Sequence, residues 1–187
     1  MPDRLIIAIT GASGAIYGLR ALHLARQIGL ETHLIISSAA RVTLSQETGT
    51  KISDVLALAS ITYQPHDIAA SIASGSFPTR GMLVAPCSIK TLSAIANGYT
   101  DNLIARAADV CLKEGRPLLL MVRETPLHRG HLRLMDQAAT SGAIIFPPVP
   151  SFYAHPESLQ EVIDASVGRA LMRMGFENPA YPRWTGP

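Results

Sequence analysis

The 187-residue chain is 48% apolar, holds 14 glycines and 13 prolines, and carries a formal net charge of +2. That composition supplies one packed domain and excludes a disordered chain, while so small a charge argues against a nucleic-acid surface. The longest apolar run, Leu118 to Val122, is far too short to span a bilayer.

Leu5 to Ile9 reads as a buried strand. Ala15, Leu19, Leu22 and Ala25 recur at helical spacing, and Gly29 ends that helix. Thr32 to Ile36 is a second strand and Ala39 to Glu47 a second helix. Ser53 to Ser60 reads as a short helix, and Gln64 to Thr79 as a long loop of small residues. Gly81 to Ala85 is a strand, and Ile89 to Ala96 a helix closed by Asn97-Gly98. Thr100 or Asp101 is the expected cap of the next helix, which runs to Glu114. Pro117 to Val122 is a strand. Thr125-Pro126 reads as cap and first turn of a helix reaching Thr140. Gly142 to Phe146 is a strand, Pro156 to Met174 a long helix, and the tail to Pro187 is proline-rich. This alternation over one domain, residues 1–187, predicts an α/β fold with a mostly parallel sheet covered on both faces. Cys87 and Cys111 lie far apart and build no framework. Only Asp3 and Arg4 stand between the start and the first apolar run, so no secretion signal is legible and a cytoplasmic protein is expected.

The polar residues fall after the predicted strands, in Thr10-Gly11-Ala12-Ser13, Ser37-Ser38, Pro86 to Thr91, Arg123-Glu124-Thr125 and Pro147 to Tyr153. Open α/β sheets bind ligands at that edge, and helix N-termini there favour an anion. Serines and threonines in such places also serve as plain helix caps. The first loop is neither G-x-G-x-x-G nor a P-loop. Ser37-Ser38 stand where dinucleotide binders place an acid. These features lean toward a mononucleotide with one terminal phosphate, such as FMN. Arg106, Asp109 and Lys113 share a helix face, which as a bland reading is a salt-bridged surface. His128 and His131 stand at i, i+3 without a third ligand at a metal spacing, so no metal site is expected.

Thr10-Gly11-Ala12-Ser13-Gly14-Ala15, Ser74-Gly75-Ser76, Pro86-Cys87-Ser88, Arg106 to Val110 with Leu112-Lys113-Glu114, Arg123-Glu124-Thr125-Pro126, Phe152-Tyr153 and Arg183-Trp184 occur in this order along nearly the whole chain. Together they resemble the UbiX-type flavin prenyltransferases. The resemblance implies a three-layer Rossmann-like or flavodoxin-like fold in a homo-oligomer, a dodecamer. It implies reduced FMN as bound substrate, dimethylallyl monophosphate as donor, no metal, and prenylated FMN as a product handed to a UbiD-type decarboxylase in ubiquinone biosynthesis. It assigns flavin-nucleotide contacts to Gly11, Ala12, Ser13, Ser37, Ser88, Ile89, Lys90, Thr91 and Arg123. It assigns prenyl-phosphate contacts to Tyr153 and Arg169. Glu47, Arg106, Lys113 and Glu124 match further active-site positions, Arg106 on the substrate side and the others, with Ser13, on the catalytic side. Arg123 and Arg169 are expected to converge from different subunits. Two other readings stay open on the same fold: an FMN-dependent enzyme of the peptidyl-cysteine decarboxylase type, and a flavin carrier.

Overall fold

The computed structural model describes residues 3–178, 180–181, 183–184 and 186. Six parallel strands form one sheet: β1 (Arg4–Ile9), β2 (Glu31–Ile36), β3 (Ile61–Tyr63), β4 (Met82–Cys87), β5 (Leu118–Val122) and β6 (Ile144–Ile145), in the order β3-β2-β1-β4-β5-β6. That is the Rossmann strand order, so the chain reverses direction across the sheet between β1 and β4. The central strands are apolar almost throughout because helices cover both faces. One core layer gathers Leu5, Ile7, Ile9 and Leu22 with Val167 and Leu171. The other gathers Ile6, Ala8 and Val84 with Leu92, Ala107 and Cys111.

The helices are α1 (Ala15–Gln27), α2 (Ser38–Thr48), α3 (Ile52–Leu56), α4 (Ile89–Ala96), α5 (Leu103–Lys113), α6 (Arg129–Thr140) and α7 (Leu159–Arg173), with short 3-10 turns at Ser71–Ala73 and Phe152–Ala154. Several boundaries correct the sequence reading. Asn102 caps α5, in place of Thr100 or Asp101, because its Oδ1 accepts from both Ile104 N and Ala105 N. Helix α6 starts at Arg129, not at Pro126. His128 caps it, its Nδ1 accepting from Gly130 N at 3.0 Å. Ser158 caps α7, so that helix begins at Leu159 rather than Pro156. The short helix ends at Leu56, and the residues after it include an edge strand, β3, that periodicity missed.

Helix α1 lies very close to the sheet. A Cβ on Gly18 would sit 2.7 Å from Ile9 Cγ1, and it would also strike the Ala85 carbonyl. Thr10 ties the two halves at the reversal point. Its buried Oγ1 donates to Pro86 O at 2.7 Å and accepts from Ser88 N at 2.8 Å. No helix among the described residues is long and apolar enough to cross a membrane.

Candidate active site

The loops after β1, β2 and β4 meet where the strand order reverses. Between them lies a cavity of about 390 Å³ lined by Gly11, Ser37, Ser38, Ser88, Lys90 and Thr91, with Asn102 and Ile104 from the start of α5. Ser37 Oγ accepts from Ala40 N at 3.1 Å, and Ser88 Oγ from Thr91 N at 3.3 Å, so both serines are helix caps. Capping leaves the first N–H groups of α2 and α4 ahead of any intrahelical bond. Two positive helix ends therefore open on one cavity, which is the kind of seat that favours a terminal phosphate. No carboxylate stands at the end of β2 to repel it. Lys90 is exposed on the cavity wall, and Ile89 starts α4 packed against the core. The lining fits FMN: hydroxyls, N–H groups and the flexible Lys90 cation for a phosphate and a polyol chain, with the Asp101 carboxylate at the start of α5 able to accept from a polyol hydroxyl. The sequence reading singled out Ser38 with Ser37 but missed Asn102 and Ile104. Asn102 carried a signal, since Asn is a strong cap residue directly before an apolar helix.

The third helix start behaves differently. Gly14 is the N-cap of α1 and adopts φ 97°, a conformation that favours glycine. A Cβ there would lie 3.1 Å from the Tyr17 ring and 3.5 Å from Arg123 Nε. Its N–H and that of Ala15 are taken by Glu47 Oε2, at 2.8 and 2.9 Å, from the end of α2. Partial burial works to raise the Glu47 pKa. The N–H of Ala15, the hydroxyl of Ser13, the N–H of Gly14 and the charge of Arg123 outweigh it and hold the carboxyl below its usual value. Ser13, Glu47 and Arg123 thus form one exposed cluster beside α1. The Arg123 guanidinium makes no hydrogen bond among the described residues. Glu124 Oε1 accepts from Thr125 N at 3.0 Å in the same loop.

The remaining predicted residues lie elsewhere on the chain. Arg106 is held by Asp109 at 3.0 Å and by the Ala73 carbonyl at 3.2 Å, so its surface ion pair with Asp109 is real. Lys113 is two turns further along α5. It pairs with Glu114 at 3.1 Å, and a Cβ on Gly75 would lie 3.2 Å from its Nζ. Because α5 starts at the cavity and runs back toward β5, its end lies about 15 Å away, toward the amino edge of the sheet. Arg169 belongs to the last third of α7, whose end reaches that same edge. There Met174 lies against Gly81, and the Arg80 guanidinium stands over the Phe176 ring at 5.7 Å. Arg169 lies 5.2 Å from the centre of the Tyr181 ring, and Tyr181 OH is 2.6 Å from Tyr153 OH. Trp184 meets Tyr153 edge-on at 5.6 Å. The four cations singled out in the sequence therefore occupy three places on one chain.

The His128 and His131 ring centroids lie 3.5 Å apart with the planes tilted by 31°, and His128 Nδ1 serves as a cap. Both cysteines are buried, and burial pushes each thiol up, Cys111 to about 12, which leaves them unreactive.

A Rossmann-ordered sheet whose reversal point holds a mononucleotide-sized, phosphate-ready cavity defines a flavin-nucleotide protein. In agreement, the family described as Flavoprotein matches residues 2–171. Flavin prenyltransferase UbiX of Escherichia coli (strain K12) is 58% identical over 186 residues, 98% of each chain. The crystal structure of AnUbiX in complex with FMN and dimethylallyl pyrophosphate superposes with a TM-score of 0.98 at 46% identity, covering 100% of this chain and 99% of that one. A dodecameric FMN-dependent UbiX-like protein from Escherichia coli O157:H7 gives 0.95 at 46% identity, covering 98% and 100%. The chain belongs to the UbiX family of flavin prenyltransferases.

Proposed function

We propose that the protein joins the dimethylallyl group of dimethylallyl monophosphate to reduced FMN, at N5 and C6, and releases prenylated FMN for a UbiD-type decarboxylase that supports ubiquinone biosynthesis. The observation that carries the reading is the cavity of about 390 Å³ between two open helix N-termini at the β1/β4 reversal, in a chain 58% identical to a flavin prenyltransferase.

Bound there, reduced FMN supplies the electron-rich atoms that the five-carbon unit joins. The protein's part is to seat, orient and neutralise. Gly11, Ala12, Ser13, Ser37 and the Ser88–Thr91 turn grip the nucleotide, and Arg123 closes its edge. As the allylic C–O bond breaks, its electron pair leaves with the phosphate. Fixed cations that meet that charge lower the barrier, and arginine does so with two parallel N–H contacts. Arg106, Lys113 and Arg169, with the Tyr153 hydroxyl, suit this task. One chain keeps Lys113 and Arg169 away from the cavity, so the complete site needs neighbouring copies to bring them to it. A homododecamer, the state of the similar Escherichia coli O157:H7 protein, supplies such neighbours. Glu47, with a depressed pKa and three donors on it, is a weak base. Its role is to fix Ser13 and Arg123, and removal of the ring proton falls to Glu124 or to the released phosphate.

The test is mass analysis of the flavin recovered after incubation with FMN, reductant and either dimethylallyl monophosphate or the diphosphate. A flavin heavier by one five-carbon unit, formed with the monophosphate, is expected. Unchanged FMN with both donors overturns the reading and leaves a flavin carrier or a thiol-oxidising decarboxylase.

A further inference from the structure

The segment after α7 folds back along that helix. Phe176 is buried in the core, and the nearly buried Asn178 accepts the Ala180 N–H at 2.8 Å through Oδ1. This lays Tyr181 directly over Gly168. A Cβ on Gly168 would stand 3.0 Å from Tyr181 N and 3.2 Å from Tyr181 Cβ, so the slot exists because residue 168 has no side chain. Seated there, Tyr181 touches both groups read above as phosphate binders. The Arg169 guanidinium carbon lies over the Tyr181 ring, 5.2 Å from the centre, and the Tyr181 hydroxyl is 2.6 Å from that of Tyr153.

We infer that Tyr181 is a positioning residue for the prenyl donor, holding Arg169 and Tyr153 together as one anion-binding unit through its ring and its hydroxyl. This rests on the reading of Arg169 and Tyr153 as the donor-phosphate pair. A long exposed arginine loses much rotamer freedom when it grips an anion, and a prior contact reduces that loss. A cation–π contact with the ring uses no N–H hydrogen bond of the guanidinium, so its donors stay available to a phosphate. The OH–OH contact ties Tyr153 to the same ring that Arg169 contacts. Tyr181 thus acts on the donor through its two neighbours, and it has no contact with the nucleotide cavity.

Steady-state kinetics on Tyr181→Phe, Tyr181→Ala and Gly168→Ala, with FMN affinity and thermal midpoint measured on each, tests this. Tyr181→Phe keeps the stacking and loses one hydrogen bond, so the KM for dimethylallyl monophosphate rises roughly three- to tenfold. Tyr181→Ala raises it further. Gly168→Ala raises it in the parent protein and adds nothing to Tyr181→Ala, since both act by unseating one side chain. FMN affinity and thermal midpoint stay at the parent values in Tyr181→Phe. If the Tyr181 variants leave the donor KM unchanged or lower it while Arg169→Ala raises it, the inference is wrong and the phosphate reading stands. If Arg169→Ala and Tyr153→Phe both leave the donor KM unchanged, the phosphate reading fails and the inference falls with it.

Discussion

At the carboxyl edge of the sheet the binding groups are backbone N–H groups and small caps, set by strands that are almost wholly buried. On α5 and α7 they are long cations on helix surfaces, each already in contact with a neighbour: Arg106 with Asp109, Lys113 with Glu114, Arg169 with Tyr181. The first region is a cavity formed by loops of one chain. The second is charged, and two of its three cations, Lys113 and Arg169, lie away from the first. If nucleotide binding belongs to the fold and leaving-group stabilisation to the assembly, as proposed, the two should come apart under mutation.

The sharpest way to break that division is to mix inactive chains. Lys113→Met and Arg123→Ala should each lower prenyl transfer about 100-fold or more, the usual effect of losing one charge-stabilising group. If the two residues serve one site from different subunits, co-expressed variants form mixed assemblies in which about a quarter of the sites hold both wild-type residues. Activity of the mixture should therefore rise far above either parent. A mixture no better than its components would place both residues in one chain's site. Lys113→Met alone should leave FMN affinity intact, measured by flavin fluorescence titration, because Lys113 has no part in the cavity.

A smaller effect is expected from crowding the edge region itself. Gly18→Val forces a side chain against Ile9 and the Ala85 carbonyl. Overpacking of this kind costs about 3 kcal/mol, or roughly 6–12 °C in a domain of this size. Flavin affinity should fall along with the midpoint, since α1 carries the first loop. Lys113→Met, by contrast, should lower turnover without lowering the midpoint. A Gly18→Val protein that melts normally would mean that α1 stands off the sheet.

The same two regions differ in how far the sequence discloses them. Strand-helix alternation and the hydroxyl residues after Ile9, Ile36 and Cys87 are local signals, and they placed the cavity. What failed were features fixed by distant partners. β3 is three residues on an exposed edge, too short for a period-2 pattern. The 64–79 stretch reads as a free loop, yet the Arg116 guanidinium donates to Gly75 O at 2.6 Å and to Phe77 O at 2.8 Å. His33, fully buried, is 2.9 Å from Tyr63 OH, which in turn is 3.0 Å from Ser71. A histidine is an uncommon cap, so Thr125-Pro126 drew the start of α6 away from His128. Motif order brought Lys113 into the site beside Arg123. The direction of α5, running away from the cavity, separates Lys113 from it within one chain, and motif order carries no such information.

The smallest expected effect concerns Glu47, a side-chain charge beside the edge region. Its carboxylate meets the α1 N-terminus through Gly14 and Ala15 and sits near Arg123. Its folded pKa is held below the unfolded value, so its contribution to stability is fully present above the ordinary 4.5 and is lost as the pH falls through the folded value. Glu47→Gln keeps an acceptor for one N–H and removes the charge. The group is exposed, so solvent screens the loss to about 0.5–1 kcal/mol at neutral pH. Melting curves of the two proteins from neutral pH down to strongly acidic pH should start a few degrees apart and merge once Glu47 is protonated in both states. A gap that persists unchanged at low pH would show that hydrogen-bond geometry, not charge, secures the start of α1. Arg123 would then have to be held at the edge by the bound nucleotide itself.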